Sequence, residues 1–259
     1  MFIVWGKTIK RQKLGFVADF CAVCRDLRAF QVQRVGSASH VYYISFGDGE
    51  LVGYERTCQT CATPFETIPD NYSGMAKQVR PPSELISETF PNYYTVYREQ
   101  IEREKKVRDT PSLLSRPERR QRLRDPFVIV APYVQQKLTR TPMDARAWLA
   151  VAALLPVFWT FMIAGKLLTP GDQEPNPLWA MAGLAFGVAV VYSQTATAAR
   201  RYILRNTMPG LVQALAPLKP STAEIDDVLT ELKQHNLKLG TKLRADDLLT
   251  GIERLRQSV

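Results

Sequence analysis

Two long apolar runs separated by a short acidic segment constrain this chain more than any other feature. Residues 147–165 contain no ionisable side chain, and a second apolar run begins at residue 178 and ends at Arg200. An α-helix of about 20 such residues crosses the hydrocarbon core of a bilayer. The segment between the runs is rich in proline and carries Asp172 and Glu174. We therefore predict a transmembrane helical hairpin over residues 147–199.

Basic residues flank both apolar runs. They are Arg140 and Arg146 before the first run, and Arg200, Arg201 and Arg205 after the second. Because basic flanks stay in the cytoplasm, we predict a plasma-membrane protein with both termini cytoplasmic. The formal net charge of +9 suits an anionic partner such as phospholipid or nucleic acid. The alternative is a helical hairpin buried in a soluble protein, but the flanking chain is too polar to cover two apolar helices.

The apolar runs contain helix-packing signals and no polar pathway. Gly183 and Gly187 lie on one helix face, where small residues permit close approach of a second helix. We favour packing against the first helix of the same chain, and a homodimer contact is the alternative. Pro156 predicts a kink, because proline lacks a backbone donor. Neither run contains an acidic, basic or histidine residue, which disfavours ion or proton transport.

The four cysteines form two Cys-x-x-Cys pairs within the first quarter of the chain. The pairs are Cys21 with Cys24 and Cys58 with Cys61, and 33 residues separate them. Two such pairs supply the four thiolates of a tetrahedral ion, so we predict a structural Zn²⁺ site, with rubredoxin-like iron as the main rival. Two disulfides are disfavoured in a domain predicted to be cytosolic, and a thiol redox motif needs only one pair.

Strand periodicity occupies the chain between the two pairs. Alternating residues predict strands at 30–34, 41–46 and 51–57. Three full antiparallel strands would carry the second pair away from the first, so one strand must be short or bent away, and we expect it within 39–46. Fewer than about 70 residues bury little core, so the ion should supply much of the folding energy.

The N-terminal region resembles bacterial zinc-ribbon membrane proteins of unknown function, which begin with Phe-Ile-x-Trp-Gly and continue with two Cys-x-x-Cys knuckles. Residues 2–6, 21–24, 41–46 and 58–61 carry the resemblance, and they bracket about a quarter of the chain. The resemblance implies metal binding and interaction with a partner, without a named activity. With the predicted spans, it also implies the bacterial inner (plasma) membrane as the location. Arg25 and Ala62 replace the glycine that usually follows each knuckle in such ribbons.

Two helical segments are predicted between the ribbon and the hairpin. In the first, Tyr94, Tyr97 and Ile101 share a face. The second begins with a capping box at residues 115–118. Its first turns carry five arginines, at positions 116, 119, 120, 122 and 124, and residues 126–134 continue as an apolar stretch. This segment predicts either binding to the anionic inner leaflet or ordinary packing of a stripe, whose members are Phe127, Val130, Val134 and Leu138.

The tail beyond the hairpin predicts a linker followed by two helices. Pro209-Gly210 and residues 217–220 read as linker, and Ser221 with Glu224 forms another capping box. Apolar stripes at 225–232 and 248–255 then predict a helical hairpin that turns near Gly240.

The whole pattern predicts a mixed fold class, with a small β zinc ribbon followed by mainly α segments. The domains are the zinc ribbon at 1–69, a basic cytosolic helical region at 70–146, the transmembrane hairpin at 147–199 and a cytosolic helical tail at 200–259. We expect a protein-interaction or scaffold module with an unidentified protein partner. We do not expect an enzyme, because the chain has no Ser-His-Asp or Cys-His arrangement, phosphate loop or carboxylate pair beside a histidine.

A membrane-tethered nucleic-acid binder is the alternative function. Aromatic and basic side chains interleave in the ribbon, at Arg28, Arg34, Tyr42, Tyr43, Tyr54 and Arg56. Such a surface can bind nucleic acid, but strand alternation already accounts for these residues as a small core with a solvated rim. His40 is interpreted as a strand residue because four cysteines fill the metal site.

Overall fold

The computed structural model describes residues 5–41, 44–45, 49–140, 144–168 and 177–257. An antiparallel sheet near the N-terminus is followed by helices, which confirms the mixed fold class. The chain divides into two compact units. One unit combines Met1–Tyr133 with Asn206–Val259, and the other is Val134–Arg205.

The sheet of the first unit is built around one long hairpin. The described strands are β1 (Trp5–Cys21), β2 (Asp26–Val41), β3 (Ile44–Ser45), β4 (Glu50–Cys58) and β5 (Pro64–Glu66). All pairings are antiparallel, in the order β1-β2-β4-β5, with β3 paired to the end of β2. Strand β4 corresponds to the strand predicted at 51–57. Within 39–46, the described residues form the end of β2 and the two residues of β3, while residues 42, 43 and 46 lie outside the described part. A short or bent strand in this range therefore stays a prediction.

Strand β1 is absent from the sequence prediction, and its irregularity explains why. The register with β2 shifts between Lys13 and Gly15, so the two-residue alternation is interrupted. Gly15 is required by close approach, since a Cβ there would lie 2.8 Å from the Cβ of Met75 and 2.9 Å from the carbonyl oxygen of Ala76. Phe16 and Ala76 form an antiparallel bridge at this point. Backbone pairing of a distant segment therefore shapes this strand.

Helices cover one face of this sheet. They are α1 (Pro82–Thr89), α2 (Tyr93–Val96) and α3 (Arg98–Asp109). A cluster of buried side chains joins β1 to α1 and includes Phe16, Phe20, Leu85 and Ile86. Tyr97 and Ile101 pack against this core as predicted, whereas Tyr94 is 63% exposed and Tyr93 is buried instead. Tyr94 leaves the predicted face because the helix is interrupted at Tyr97, between α2 and α3.

Helix α4 (Arg116–Arg140) begins where the capping box predicted it. Both the backbone N–H and the hydroxyl of Ser115 donate to the carboxylate of Glu118. The apolar stripe is buried in the protein, with Phe127 1% exposed and Val130 fully covered. Packing within the protein is therefore the use of this stripe, and binding of this segment to the anionic inner leaflet stays a prediction.

The C-terminal part of the first unit contains four described helices. They are α8 (Met208–Leu215), α9 (Thr222–Gln234), α10 (Lys238–Lys242) and α11 (Ala245–Gln257). The second capping box is confirmed, with reciprocal hydrogen bonds between Ser221 and Glu224. The linker predicted at Pro209-Gly210 is wrong, because both residues lie in α8. Gly240 lies within α10, so a short helix separates the two predicted arms.

The second unit contains α5 (Ala145–Ala152), α6 (Leu154–Leu168) and α7 (Pro177–Tyr202). The break at Ala153 has its cause in Pro156, which has no N–H to donate to the carbonyl of residue 152. A Cβ on Gly183 would lie 2.9 Å from the Cβ of Phe161, and one on Gly187 would reach Leu154 at 2.6 Å. The glycine face thus packs against the first apolar helix of the same chain, as favoured from sequence.

Two helical stretches of the chain are long and apolar enough to cross a membrane, one ending at Leu168 and the other beginning at Pro177. Their apolar side chains are largely exposed, including Leu155 at 71% and Trp159 at 62%. The predicted turn at residues 169–176 lies outside the described part of the chain.

Candidate metal centre

Both cysteine pairs lie in hairpin turns of the sheet. The first pair occupies the turn between β1 and β2, where Cys21 is paired with Asp26. The second occupies the turn between β4 and β5, where the N–H of Cys58 donates to the carbonyl of Thr63. Strands β2 and β4 bring the turns together, since Phe30 is in register with Cys58. The sheet register therefore places two knuckles side by side, although 33 residues separate them in the chain.

The two knuckles repeat one backbone turn. The N–H of Arg25 donates to the carbonyl of Cys21 at 2.7 Å, and the N–H of Ala62 donates to the carbonyl of Cys58 at 3.0 Å. Arg25 and Ala62 both have left-handed backbone conformations, with φ of 52° and 53°. These are the positions at which glycine was expected, because glycine adopts positive φ without a steric cost. The knuckle is therefore formed without its usual residue.

The four sulfur atoms converge on one point. All four lie within 4.8 Å of one another. The Sγ atoms of Cys21 and Cys61 are 3.7 Å apart, and those of Cys24 and Cys58 are 3.9 Å apart. Thiolates at about 2.3 Å from a tetrahedral ion would be separated by about 3.8 Å. A disulfide needs about 2.05 Å between sulfurs, so these are free cysteines arranged as a ligand set.

The four cysteine sulfurs are buried, and two of them accept backbone hydrogen bonds, which are features that suit cation binding. Each cysteine is at most 2% exposed. A backbone N–H reaches the first sulfur of each pair at 3.4 Å, from Cys24 to Cys21 and from Thr60 to Cys58. Backbone donors of this kind stabilise thiolates over thiols. The donor set and its spacing fit a tetrahedral Zn²⁺ or iron ion bound by four cysteines.

The cysteine thiols differ in the direction in which their pKa values are shifted. Hydrogen bonds from Cys21 and then Cys24 lower the pKa of the Cys58 thiol, and the same two donors lower the pKa of Cys61. The hydrogen bond to Cys21, together with burial, raises the pKa of the Cys24 thiol. Four negative charges cannot share this buried volume without a cation, and a divalent ion would remove that conflict.

Gly210 in α8 lies directly on the cysteine cluster. A Cβ on this residue would clash with the Cβ of Cys61, and it would lie 3.3 Å from the Sγ of Cys24. Sequence reasoning missed this residue, because Pro-Gly is a usual linker signal. No local pattern connects residue 210 to cysteines about 150 residues earlier in the chain.

Arg25 continues the first knuckle into the helical part of the unit. Its guanidinium donates to the carbonyl of Arg122, and its own carbonyl accepts from Arg108 at 3.1 Å. Burial lowers the pKa of this guanidinium, and nearby Glu104 opposes that effect. Arg25 thus links a knuckle to α4 through its side chain and to α3 through its backbone carbonyl.

The ribbon arginines considered for nucleic-acid binding have partners inside the protein. Arg56 pairs with the buried carboxylate of Asp19. Arg28 pairs with Asp26 at 3.1 Å and donates to Gln213 at 2.7 Å. Arg34 donates to the carbonyl of Gly49. Tyr42, Tyr43 and the side chain of His40 lie outside the described part.

The arginines of α4 are also largely engaged in ion pairs. Arg119 makes a bidentate contact with Glu224, at 2.6 and 3.0 Å. Arg122 pairs with Glu104, and Arg124 pairs with Glu231 at 2.6 Å. Arg119, Arg122 and Arg124, which the sequence pattern places on a basic face, thus pair with other helices of the same unit.

A cavity of about 630 Å³ lies beside the sheet, with Asp19 and Tyr72 in its lining. The Tyr72 hydroxyl donates to Asp19 at 2.6 Å and accepts from Arg56 at 3.0 Å. The Asp19 carboxylate and the Tyr72 hydroxyl are thus hydrogen-bonded, whereas the buried Nε of Arg56 has no hydrogen-bond partner among the described residues.

Comparisons of the chain with protein-family models, with curated proteins and with solved structures find no match. Within the described residues, the four cysteines are the one group of three or more metal-ligating side chains close enough to share an ion. His235, the other histidine, lies at the C-terminal cap of α9.

Proposed function

We propose that this chain is an integral membrane protein that carries one structural zinc ion and serves as a protein-interaction or scaffold module. Cys21, Cys24, Cys58 and Cys61 would be the ligands. The observation that carries the zinc site is the convergence of four buried, free cysteine sulfurs within 4.8 Å. A closed site with four protein ligands leaves no position for a substrate, which favours a structural role over a catalytic one.

The exposed apolar surface supports the membrane anchor. In each candidate span only 11% of the most apolar window is buried within the protein. A soluble helical hairpin would need other segments to cover this surface, whereas lipid covers it without further protein. We propose that α5 with α6 forms the first span and α7 the second.

The composition of the first unit supports a same-side topology. Its two parts, Met1–Tyr133 and Asn206–Val259, precede and follow the hairpin in the chain. Parts that fold together must lie on the same side of a membrane. The arginines beside the spans favour the cytoplasm as that side, and the zinc-ribbon resemblance favours a bacterial plasma membrane.

A binding role is favoured over nucleic-acid recognition and over catalysis. Nucleic-acid affinity depends on basic groups that are free to neutralise phosphates, and the main ribbon and α4 arginines are paired within the protein. The 630 Å³ cavity is lined by Asp19 and Tyr72, which hydrogen-bond to each other, and by two exposed apolar rim residues, Ile68 and Val96. Such a rim suits contact with another protein better than reaction chemistry.

Elemental analysis of the full chain, purified from membranes in detergent, tests the zinc site. We expect about one zinc per chain, and Cys58→Ser should lose it and destabilise the ribbon because a closed site tolerates little ligand loss. Thr60→Ala is the matched control, because this substitution keeps the backbone N–H that donates to the Sγ of Cys58. Stoichiometric iron, or the absence of metal from the parent protein, would contradict the proposal.

A further inference from the structure

We propose that metal binding and docking of the C-terminal segment 206–257 are coupled through α8. The inference rests on the proposed zinc site. It assigns the ion a second role, which is to hold together two parts of the chain that lie on either side of the apolar hairpin in sequence. Loss of the ion would then release α8 from the ribbon, and loss of α8 would loosen the ion.

The contact at Gly210 carries this inference. Gly210 lies within a regular helix, so its backbone does not require glycine. The requirement is steric, since a Cβ would clash with Cys61 and lie 3.2 Å from the Cα of that ligand. Helix α8 therefore forms one wall of the metal centre at van der Waals contact. The position of the ligands and the position of this helix cannot change independently.

The rest of the C-terminal segment holds α8 in place. Leu211 and Leu215 of α8 are completely buried. On another side of the helix, a Cβ on Gly251 of α11 would lie 2.7 Å from the Cγ2 of Val212 and 2.8 Å from the Cε of Met208. Helix α8 is thus in close contact with the cysteine cluster at Gly210 and with α11 at Gly251. A movement at either contact is transmitted to the other.

Thermodynamic linkage makes the coupling reciprocal. If docking of α8 strengthens metal binding by some factor, metal binding strengthens docking by the same factor. The ligands precede the hairpin and Gly210 follows it, so the wall of the site is complete only after residues 134–205 have been synthesised. Tight metal retention would therefore mark chains whose two halves have come together.

Hydrogen exchange of the full chain in lipid nanodiscs tests the coupling directly. Zinc-loaded protein is compared with protein stripped by a chelator, and exchange is followed in the knuckles and in α8 to α11. We expect removal of zinc to increase exchange in α8 as well as in the knuckles. Increased exchange confined to the knuckles would overturn the coupling while leaving the zinc site itself intact.

Gly210→Ala tests the reverse direction. Disturbing residues around metal ligands commonly weakens metal affinity about 10- to 100-fold, and we expect a loss of this size in chelator competition. Gly74→Ala is the control, because a Cβ there has an ordinary contact at 3.6 Å. Unchanged zinc affinity in Gly210→Ala would overturn the proposal. If this variant does not accumulate, the exchange comparison on the parent protein still decides, and a parent without zinc overturns both proposals.

Discussion

Arg25 and Ala62 adopt the backbone conformation that glycine usually supplies after a cysteine knuckle. A left-handed residue with a side chain costs about 1 kcal/mol or more compared with glycine. At Arg25 the side chain offsets part of this cost, because its buried guanidinium donates to the carbonyl of Arg122. Ala62 carries the same strain, with φ of 53°, and has only a methyl group to contribute. A glycine would therefore relieve the strain at both positions, but at Arg25 it would also remove a side-chain hydrogen bond.

Ala62→Gly is expected to stabilise the protein. Relief of the left-handed strain exceeds the added chain entropy by about 0.5–1 kcal/mol, which corresponds to a rise of about 1–4 °C in the unfolding midpoint. Thermal unfolding of the zinc-loaded protein in detergent measures this shift. Ala22→Gly, in the first knuckle and without positive φ, should lower the midpoint. A lower midpoint in Ala62→Gly would show that the strain is not stored there.

Ion pairs join the helices of the first unit to one another. Arg119 in α4 and Glu224 in α9 form a bidentate pair, and Glu224 also caps its own helix. The hydrogen bonds from Arg119 lower the pKa of Glu224 to about 2. The glycines of the second unit have the corresponding role between α6 and α7, where they permit close packing.

The Glu224 pair predicts a pH-dependent contribution to stability. Because the pKa is lowered in the folded state, the contribution is complete above about pH 4.5 and is lost as the pH falls toward about 2. Glu224→Gln should therefore destabilise at pH 7 by about 1 kcal/mol or less, and the difference from the parent should shrink below about pH 4.5. Denaturant unfolding of both proteins measures this difference in the free energy of unfolding. Any loss of metal at low pH that affects both proteins equally does not change the difference.

The control for this prediction is Asp226→Asn, an exposed carboxyl on the same helix. It should differ little from the parent at any pH. A Glu224→Gln difference that stays constant from pH 7 to pH 3 would show that the carboxylate charge contributes nothing and that only the cap matters.

The packing of α6 and α7 predicts different tolerance on two faces of one helix. Gly183→Ile should destabilise the hairpin, because Phe161 already occupies the space beside Gly183. Ala185→Ile should be tolerated, since that side chain is exposed and would face lipid in the proposed membrane. Denaturation by sodium dodecyl sulfate measures hairpin stability. Equal tolerance, accompanied by loss of a cross-linked dimer in Gly183→Ile, would indicate instead that this face joins two copies of the chain.

At the scale of the whole molecule, one compact unit contains the chain before and after the hairpin. Contacts such as those of Arg119 with Glu224 and of Gly210 with Cys61 join these two parts. In the proposed membrane arrangement, a bilayer that separated the two parts would break these contacts. The contacts therefore support the proposed same-side topology independently of the charge of the flanks.

Labelling of introduced cysteines in intact cells tests this topology. An impermeant reagent should label Asp172→Cys in the connecting segment and should leave Gln257→Cys unlabelled until the membrane is opened. The four native cysteines are buried and serve as an internal background. Labelling of Gln257→Cys in intact cells would refute the cytoplasmic placement. Labelling of one terminal region but not the other would also refute the same-side arrangement.

Much of the architecture follows from the sequence by itself, because it depends on local composition and spacing. The apolar runs, the two cysteine pairs and the capping boxes at Ser115 and Ser221 are each contained within about 20 neighbouring residues or are defined by residue type. The kink at Pro156 is equally local, since one missing donor causes it. The proximity of the two cysteine pairs was also predicted from the sequence, because four thiolates that share a predicted ion must lie together.

The tertiary structure decided the features that depend on distant partners. Strand β1 is held by β2 and by residue 76, so its interrupted alternation does not identify it. The arginines of α4 look like a free basic face until α9 supplies Glu224 and Glu231. Gly210 reads as linker until it lies on Cys61. Sequence spacing records which residues are neighbours along the chain, whereas contact across the fold depends on how the elements pack.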